Sequence, residues 1–273
     1  MLFKILEVKF IKINFKKIYR VIISNREKFQ IIVNFLSKVL PARFLIKILK
    51  VKFENANIFM FNCISLKYFY HSYALHRLSE RSIEIPIIRY YMEKRGIKDF
   101  LEIGNVTNHY YSYFQDIINS KIVVDKYEIG WGVINKDIGD YMSQNKFDFI
   151  FSISTFEHMD SDSGVDPISI NKKKKLITYA ADNIVRICNI LLNADGIFLI
   201  TAPIGQHVEW NQTVFSGEIL NKEFLKVKSV NIYYFKKINE IEWIQTKRDE
   251  ILNSKENYPF PGVNALSIVE IIK

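Results

Sequence analysis

The chain has 273 residues, of which 49% are apolar and 25% are charged, and it contains 21 Phe and 15 Tyr. This composition can bury a large core and excludes a wholly disordered chain, while ten Gly and six Pro exclude collagen-like and low-complexity proteins. The two cysteines, Cys63 and Cys188, have no CxxC partner, so neither a disulfide scaffold nor a structural zinc site is expected. This cysteine usage predicts a cytoplasmic protein.

The positive charge is concentrated at the N-terminus. Residues 1–53 carry 13 Lys or Arg against two Glu, a net charge of +11. The other 220 residues carry 25 basic and 27 acidic side chains, a net charge of −2. A nucleic-acid partner is not expected, because the body of the chain has no matching basic pattern. The basic stretch also contains no apolar run near the roughly 20 residues that cross a bilayer, and no apolar signal-peptide centre.

We predict a basic amphipathic extension over residues 1–60, with a helix over residues 29–40 where apolar residues recur at helical spacing. Two interpretations stay open. The helix could pack its apolar stripe on the body and leave its lysines in water. Alternatively, residues 1–53 could lie on an anionic membrane, where each Lys or Arg contributes about 1 kcal/mol, making the protein peripheral at the inner face of the membrane.

From about residue 97 the chain alternates short apolar runs with helical stretches, in the order that follows. Strands are predicted over 100–104, 121–125, 132–138, 147–154 and 197–201, with a helix over 173–192 and a turn over 193–196. Nearly continuous apolar strands between helices predict a doubly wound α/β fold, whose mostly parallel sheet is covered on both faces. Residues 230–235 and 265–272 predict an antiparallel pair that closes one edge of the sheet.

The residues of chemical interest follow the predicted strands, where ligands bind in such sheets. Gly104 lets the backbone approach a ligand at the first turn, and Asp125, 21 residues later at the tip of the second strand, can accept hydrogen bonds from ribose hydroxyls. No second or third glycine follows Gly104 to approach a pyrophosphate. This favours a nucleoside ligand without a diphosphate and disfavours a nicotinamide-dependent oxidoreductase.

These motifs resemble those of the class I S-adenosylmethionine-dependent methyltransferases, over roughly residues 97–205. Leu101-Glu102-Ile103-Gly104 resembles their first motif, and Asp125 matches the ribose-binding acid. Asp137-Ile138 matches the pair beside the adenine, Phe147-Asp148-Phe149-Ile150 the fourth strand, and Ser154-Thr155-Phe156-Glu157-His158 the segment that ends in Glu-His. The resemblance implies a seven-stranded Rossmann-like sheet in a methyltransferase domain over residues 61–273.

The resemblance also implies S-adenosylmethionine as the cofactor and assigns the site. The cofactor-binding residues would be Glu102, Gly104, Asn105, Asp125, Asp137, Ile138 and Ser154. His158 is the candidate base that removes a proton from an oxygen nucleophile, and Glu157 would orient substrate hydroxyls or hold a divalent ion. No dedicated metal-ligand set is predicted.

A narrower resemblance concerns the acceptor. Residues 102–106 together with residues 132–138 resemble a bacterial subgroup associated with surface-polysaccharide biosynthesis. This implies a small-molecule or glycan acceptor, with methyl transfer to a hydroxyl of a saccharide or lipid-linked glycan. Asn105 and Thr107 stand where the family's first motif has glycines, so the alternative is a catalytically inactive relative that serves as a binding or scaffold protein.

Overall fold

A computed structural model describes residues 58–71, 80–156, 170–204, 225–238, 242–252 and 264–273, with the side chains of 170–177 left undescribed. The described residues all belong to one compact unit that spans residues 56–273. The predictions for residues 1–53, for Glu157 and for His158 lie outside the described residues.

Ten strands and four α-helices are found in the described part of the chain. The strands are β1 (Ile58–Phe61), β2 (Ile64–Lys67), β3 (Asp99–Ile103), β4 (Ser120–Asp125), β5 (Val133–Asn135), β6 (Phe147–Ile153), β7 (Leu192–Pro203), β8 (Ser229–Lys237), β9 (Trp243–Thr246) and β10 (Ala265–Ile272). The helices are α1 (Arg81–Arg95), α2 (Tyr111–Phe114), α3 (Ile170–Arg186) and α4 (Arg248–Leu252). Short 3-10 turns cover Thr107–Tyr110 and Ile138–Asp140, and a π-helical turn over Ile187–Leu191 continues α3.

Eight of the strands form one sheet in the order β5-β4-β3-β6-β7-β10-β8-β9, and β1 and β2 form a separate hairpin. Strands β3 to β7 are mutually parallel, in the order of a doubly wound fold. β10 runs antiparallel between β7 and β8, and β9 is antiparallel to β8. The mostly parallel sheet and the predicted antiparallel pairing of the C-terminal strands are thus confirmed.

The predicted count of seven strands is wrong, because β9 adds an eighth. Only Trp243 of this four-residue strand is buried, so its apolar pattern is too short to mark a strand in the sequence. Its backbone is held from outside the sheet: the Tyr68 hydroxyl accepts a hydrogen bond from Trp243 N at 2.8 Å and donates one to Trp243 O at 3.3 Å. The hairpin therefore covers the last strand of the sheet.

Both faces of the sheet are buried, which explains why its central strands read as continuous apolar runs. One face of the sheet packs against α3 and its π-helical turn. The residues in contact are Leu101, Ile103, Ile150, Phe198 and Ile200 of the strands and Ala180, Ile184 and Ile187 of the helix.

The other face packs against α1. The residues in contact are Phe100, Phe149, Phe151, Ile197 and Leu199 of the strands and Ile83, Ile87, Tyr91 and Met92 of the helix. Each strand alternates its side chains between these two cores.

The helices and the β7 boundary differ in detail from the prediction. The predicted helix over 173–192 is confirmed, since α3 and its π-helical turn cover it. α1 was not predicted, because it precedes residue 97, where the predicted alternation of strands and helices begins. The predicted turn over 193–196 is a bulge inside β7: Phe147 pairs with Leu192 but Phe149 pairs with Ile197. No helix within the described ranges is long and apolar enough to cross a membrane.

Candidate cofactor site

The strand order reverses between β3 and β6, since the chain moves outward through β4 and β5 and then returns to the other side of β3. Loops that leave β3 and β6 in opposite directions open a crevice at the carboxyl ends of the strands. An open cavity lies there. Its lining residues are Ile103, Gly104, Val124, Asp125, Lys126, Tyr127, Lys136, Asp137, Ile138 and Thr155.

Four of the seven predicted cofactor-binding residues line this cavity, namely Gly104, Asp125, Asp137 and Ile138. The other three are not among the lining residues: Asn105 donates its N–H to Asp125, Glu102 lies beneath the loop that follows β3, and Ser154 follows β6 directly before Thr155. The cavity is also lined by residues that were not predicted, although each lies within two residues of a predicted one: Lys126, Tyr127, Lys136 and Thr155.

Gly104 packs directly against Thr155, across the crevice between the loops that follow β3 and β6. Its φ of +90° is a conformation that favours glycine, and a Cβ atom here would lie 2.1 Å from Thr155 Oγ1 and 2.9 Å from Thr155 Cβ. The Gly104 N–H donates to Val124 O at 2.9 Å, which fixes the position of the turn. Only a residue without a side chain fits between the β3 loop and the β6 loop.

Asp125 ties the loop that follows β3 to the turn that follows β4. Its Oδ2 accepts the Asn105 N–H at 3.0 Å, and its Oδ1 accepts the N–H groups of Tyr127 at 2.8 Å and Glu128 at 2.7 Å. A carboxylate offers about four lone-pair positions, so the three backbone bonds leave capacity for a ligand hydroxyl. Asp125 therefore both shapes the wall and offers it an acceptor.

Glu102 is buried under the loop that follows β3. Its Oε1 accepts the N–H groups of Val106 at 2.9 Å and Thr107 at 2.7 Å, and its Oε2 accepts the Thr107 hydroxyl. Burial raises the pKa of Glu102, and the Thr107 hydrogen bonds together with the Lys121 charge oppose that rise. Glu102 holds the loop in shape from below.

Because the pKa of Glu102 is higher in the folded state than its ordinary value of 4.5, the folded protein binds more protons in the window just above pH 4.5. This group's contribution to stability therefore falls as the pH rises through that window. Replacing Glu102 by Gln removes the contribution. We expect the free energy of unfolding of Glu102→Gln, relative to wild type, to increase from pH 4.5 toward neutrality in urea titrations. A difference that stays constant or decreases with pH would contradict this assignment.

Asp137 anchors the opposite wall of the cavity. Its Oδ1 accepts the Gly139 N–H at 2.8 Å and the Tyr179 hydroxyl, and its Oδ2 lies 3.4 Å from Lys126 Nζ. Burial raises the pKa of Asp137, but these hydrogen bonds and the Lys126 charge outweigh it, so the pKa is lowered overall. The capped turn presents the buried side chain of Ile138 to the cavity.

Ser154 ends β6 in a left-handed conformation, with φ of +42°. Its N–H donates to Thr201 O at 3.0 Å, and its hydroxyl donates to Glu84 Oε1 at 2.8 Å. Glu84 is a fully buried residue of α1 that was not predicted as part of the site. Among the described residues no cluster of three or more His, Cys, Asp or Glu could hold a metal ion.

No family model and no curated protein matches the chain. Solved structures do match. The N-methyltransferase NodS from Bradyrhizobium japonicum WM9, in complex with S-adenosyl-L-homocysteine, has a TM-score of 0.40 and 11% identity over 70% of this chain and 88% of that one. A SAM-dependent methyltransferase from Archaeoglobus fulgidus has a TM-score of 0.41 and 15% identity over 68% and 93% of the two chains. TehB from Haemophilus influenzae has a TM-score of 0.41 and 13% identity over 74% and 66%.

These structural neighbours include SAM-dependent methyltransferases. At such scores and identities the likeness carries no argument about function, because function depends on the side chains at the site.

Proposed function

We propose that the chain is an S-adenosylmethionine-dependent methyltransferase that acts on a hydroxyl of a saccharide or lipid-linked glycan. The observation that carries the cofactor assignment is that the backbone N–H groups after β3 are hydrogen-bonded to carboxylates of the chain itself. Asn105 N–H donates to Asp125, and the N–H groups of Val106 and Thr107 donate to Glu102. A diphosphate needs such donors, and here two carboxylates already occupy them.

The same arrangement suits a nucleoside whose tail carries no phosphate. Asp125 can accept from ribose hydroxyls, and Ile138 offers an apolar surface to the base. S-adenosylmethionine supplies an electrophilic methyl group on a sulfonium. The chain's own part is to hold nucleophile and methyl carbon in line, which accounts for most of the acceleration in such a displacement.

The acceptor and its activation rest on the sequence. His158 is proposed as the base that takes the proton of the attacking hydroxyl, and Glu157, its neighbour in the sequence, is proposed to orient substrate hydroxyls. The glycan acceptor rests on the resemblance of residues 102–106 and 132–138 to enzymes of surface-polysaccharide biosynthesis.

The experiment that tests this function is a turnover assay on the purified full-length chain. S-adenosylmethionine is incubated with free saccharides, with lipid-linked glycans or with neither, and formation of S-adenosylhomocysteine is followed. We expect product that depends on a glycan fraction, and we expect replacement of His158 by Ala to lower turnover far more than cofactor affinity. Near-normal turnover in that variant would remove His158 as the base, and turnover with no glycan fraction would contradict the acceptor class.

We further propose that residues 1–53 attach the protein to an anionic membrane surface, because their net charge of +11 accompanies regularly spaced apolar residues. Full-length protein should co-sediment with vesicles that contain anionic lipid, less so at high salt, and hardly with neutral vesicles. A variant that lacks residues 1–53 should lose this binding. A full-length protein that ignores anionic vesicles would favour the interpretation of a helix packed on the body.

A further inference from the structure

The loop between β4 and β5, residues 126–132, carries the two most exposed large apolar side chains of the described residues. Ile129 is 90% exposed and Trp131 is 94% exposed, and Tyr127 and Ile134 on either side of them are exposed as well. Contiguous apolar side chains left in water mark an interaction surface. Lys126 and Tyr127 of the same loop line the cofactor cavity, so this surface lies beside the proposed cofactor site.

Hydrogen bonds hold the loop in this shape. At its base, Asn135 Nδ2 donates to Lys126 O at 2.9 Å. At its tip, the Val133 N–H donates to Gly130 O at 3.2 Å and closes a four-residue turn in which Trp131 is the second residue. A loop that is already ordered loses little conformational entropy when its tip is buried, which favours binding through the side chains that it presents.

The charges around the tip favour an anionic partner. Lys126 precedes the tip and Lys136 follows it, and both are exposed. The one acidic side chain between them in the sequence is Glu128. It is directed toward the loop after β3, where it accepts a hydrogen bond from Asn105 Nδ2 at 2.6 Å and lies 3.6 Å from His109 Nε2. The tip is therefore an apolar surface with a lysine on each side.

The size and chemistry of this surface fit a lipid bilayer rather than a protein partner. A protein interface of standard size buries about 800 Å² on each side, whereas one aromatic side chain buries about 150–250 Å². Ile129 and Trp131 together therefore fall short of a stable dimer contact. A bilayer needs no complementary shape: tryptophan and tyrosine lie at its interface, aliphatic side chains enter its apolar layer, and lysines beside them meet anionic headgroups.

We propose that the loop between β4 and β5 inserts Ile129 and Trp131 into the surface of an anionic bilayer and so holds the cofactor cavity next to the membrane. The inference rests on the proposed function, because a lipid-linked acceptor has to be reached at that surface. It adds a second membrane contact to the one proposed for residues 1–53. The loop binds through apolar burial, which salt does not screen, whereas the attraction between basic residues 1–53 and the headgroups is screened.

Insertion is measured by tryptophan fluorescence of the full-length protein on vesicles of phosphatidylcholine and phosphatidylglycerol. The difference in emission between wild type and Trp131→Phe isolates the signal of Trp131, and the Phe variant keeps an apolar side chain for binding. We expect the Trp131 emission to move to shorter wavelength on the vesicles, because the indole leaves water. We also expect lipids brominated on their acyl chains to quench it.

The contribution of the loop to affinity is measured by co-sedimentation with the same vesicles. Ile129→Ser and Trp131→Ser are each expected to weaken vesicle binding by about tenfold, the scale of burying one large apolar side chain. This factor should be the same at low and at high salt, although the affinity of every variant falls as salt rises. The melting temperature and the affinity for S-adenosylhomocysteine should stay at their wild-type values.

The matched control is Ile190→Ser. Ile190 is also an exposed apolar side chain, but it lies directly before β7, at the amino ends of the parallel strands and away from the cavity. This variant should bind vesicles like wild type. Ser variants of the loop that bind like Ile190→Ser, or a Trp131 emission that neither shifts nor is quenched on bound vesicles, would overturn the inference.

Two other outcomes would also overturn the inference. One is a dimer in analytical ultracentrifugation that Trp131→Ser converts to a monomer, since the surface would then bind a second copy of the chain. The other is a full-length protein that binds no vesicles at all. Calorimetry with S-adenosylhomocysteine, done without lipid, distinguishes these failures from a failure of the proposed function: binding of that ligand leaves the cofactor assignment intact, and its absence from folded protein removes both.

Discussion

Replacing Gly104 by Ala is expected to lower the free energy of unfolding by roughly 2–5 kcal/mol, from left-handed strain plus overpacking, and to abolish measurable S-adenosylhomocysteine binding. The new Cβ atom would lie 2.1 Å from Thr155 Oγ1 and 2.9 Å from Thr155 Cβ, so rotating the Thr155 side chain cannot relieve the contact. The turn cannot retreat without breaking its hydrogen bond to Val124 O. Urea denaturation and calorimetry on the purified variant measure both effects.

Gly96→Ala is the matched control for this variant. Gly96 has a similar positive φ of +64° at the end of α1, but no atom lies within 4 Å of a Cβ built there. It should show the conformational strain alone, about 1–2 kcal/mol, with cofactor affinity unchanged. Equal destabilisation by the two substitutions, or normal ligand binding by Gly104→Ala, would show that the approach of the two loops is not critical.

Replacing Asp125 by Ala is expected to weaken S-adenosylhomocysteine binding by at least about tenfold and to cost roughly 2–4 kcal/mol of stability. The carboxylate is the proposed acceptor for ribose hydroxyls, and its removal also leaves the N–H groups of Asn105, Tyr127 and Glu128 without their acceptor. The stability and ligand affinity of Asp125→Asn should fall between those of wild type and Asp125→Ala. The Asn side chain keeps one acceptor oxygen, but its NH₂ group replaces the other and faces N–H or hydroxyl donors. Calorimetry and urea titration separate the two losses.

Asp148→Ala controls for loss of a hydrogen-bonded aspartate elsewhere. Asp148 is exposed near the start of β6 and accepts from Asn193 Nδ2 at 2.8 Å. Its replacement should cost less than about 1 kcal/mol and leave ligand affinity unaltered. If Asp125→Ala binds S-adenosylhomocysteine as tightly as this control, Asp125 does not contact the ribose.

The central sheet could be predicted because each of its strands is marked by an apolar pattern within a few consecutive residues. Residues 100–103 and 149–153 are buried and apolar apart from Glu102 and Ser152, since a parallel sheet covered on both faces buries the side chains on both sides of its strands. The carboxyl ends of those strands meet at one edge, which is why Gly104, Asp125, Asp137 and Ile138 converge on one cavity although they are far apart in the chain.

Features that depend on distant contacts could not be predicted in the same way. β9 forms because Trp243 is buried and its backbone bonds to Tyr68, 175 residues away. The sequence of this four-residue strand gives no indication of that partner. Glu84 lies in an otherwise apolar helical pattern, and its role appears only when α1 meets β6 and β7. α1 itself carries readable signals, in the spacing of Ile83, Ile87 and Tyr91 and in Gly96 after its last turn.

Glu102 illustrates a different limit. The sequence places Glu102 in the strand that leads to Gly104, and it lies there, but the sequence gives no indication that its oxygens would be occupied by Val106 and Thr107. That occupation is what separates this loop from one that binds a diphosphate. The type of residue could be predicted, while its hydrogen-bond partners required the fold.

The most direct test of the central claim is calorimetric titration of the folded full-length protein with S-adenosylmethionine, S-adenosylhomocysteine and, separately, NAD. We expect micromolar binding of at least one of the first two ligands, which corresponds to a binding free energy of about −8 kcal/mol, and no binding of NAD. Absence of heat and of any thermal shift with S-adenosylmethionine and S-adenosylhomocysteine, in protein shown to be folded, would contradict the cofactor assignment and favour an inactive relative that serves as a scaffold. Binding of NAD alone would contradict the conclusion that the committed N–H groups of Asn105, Val106 and Thr107 exclude a diphosphate.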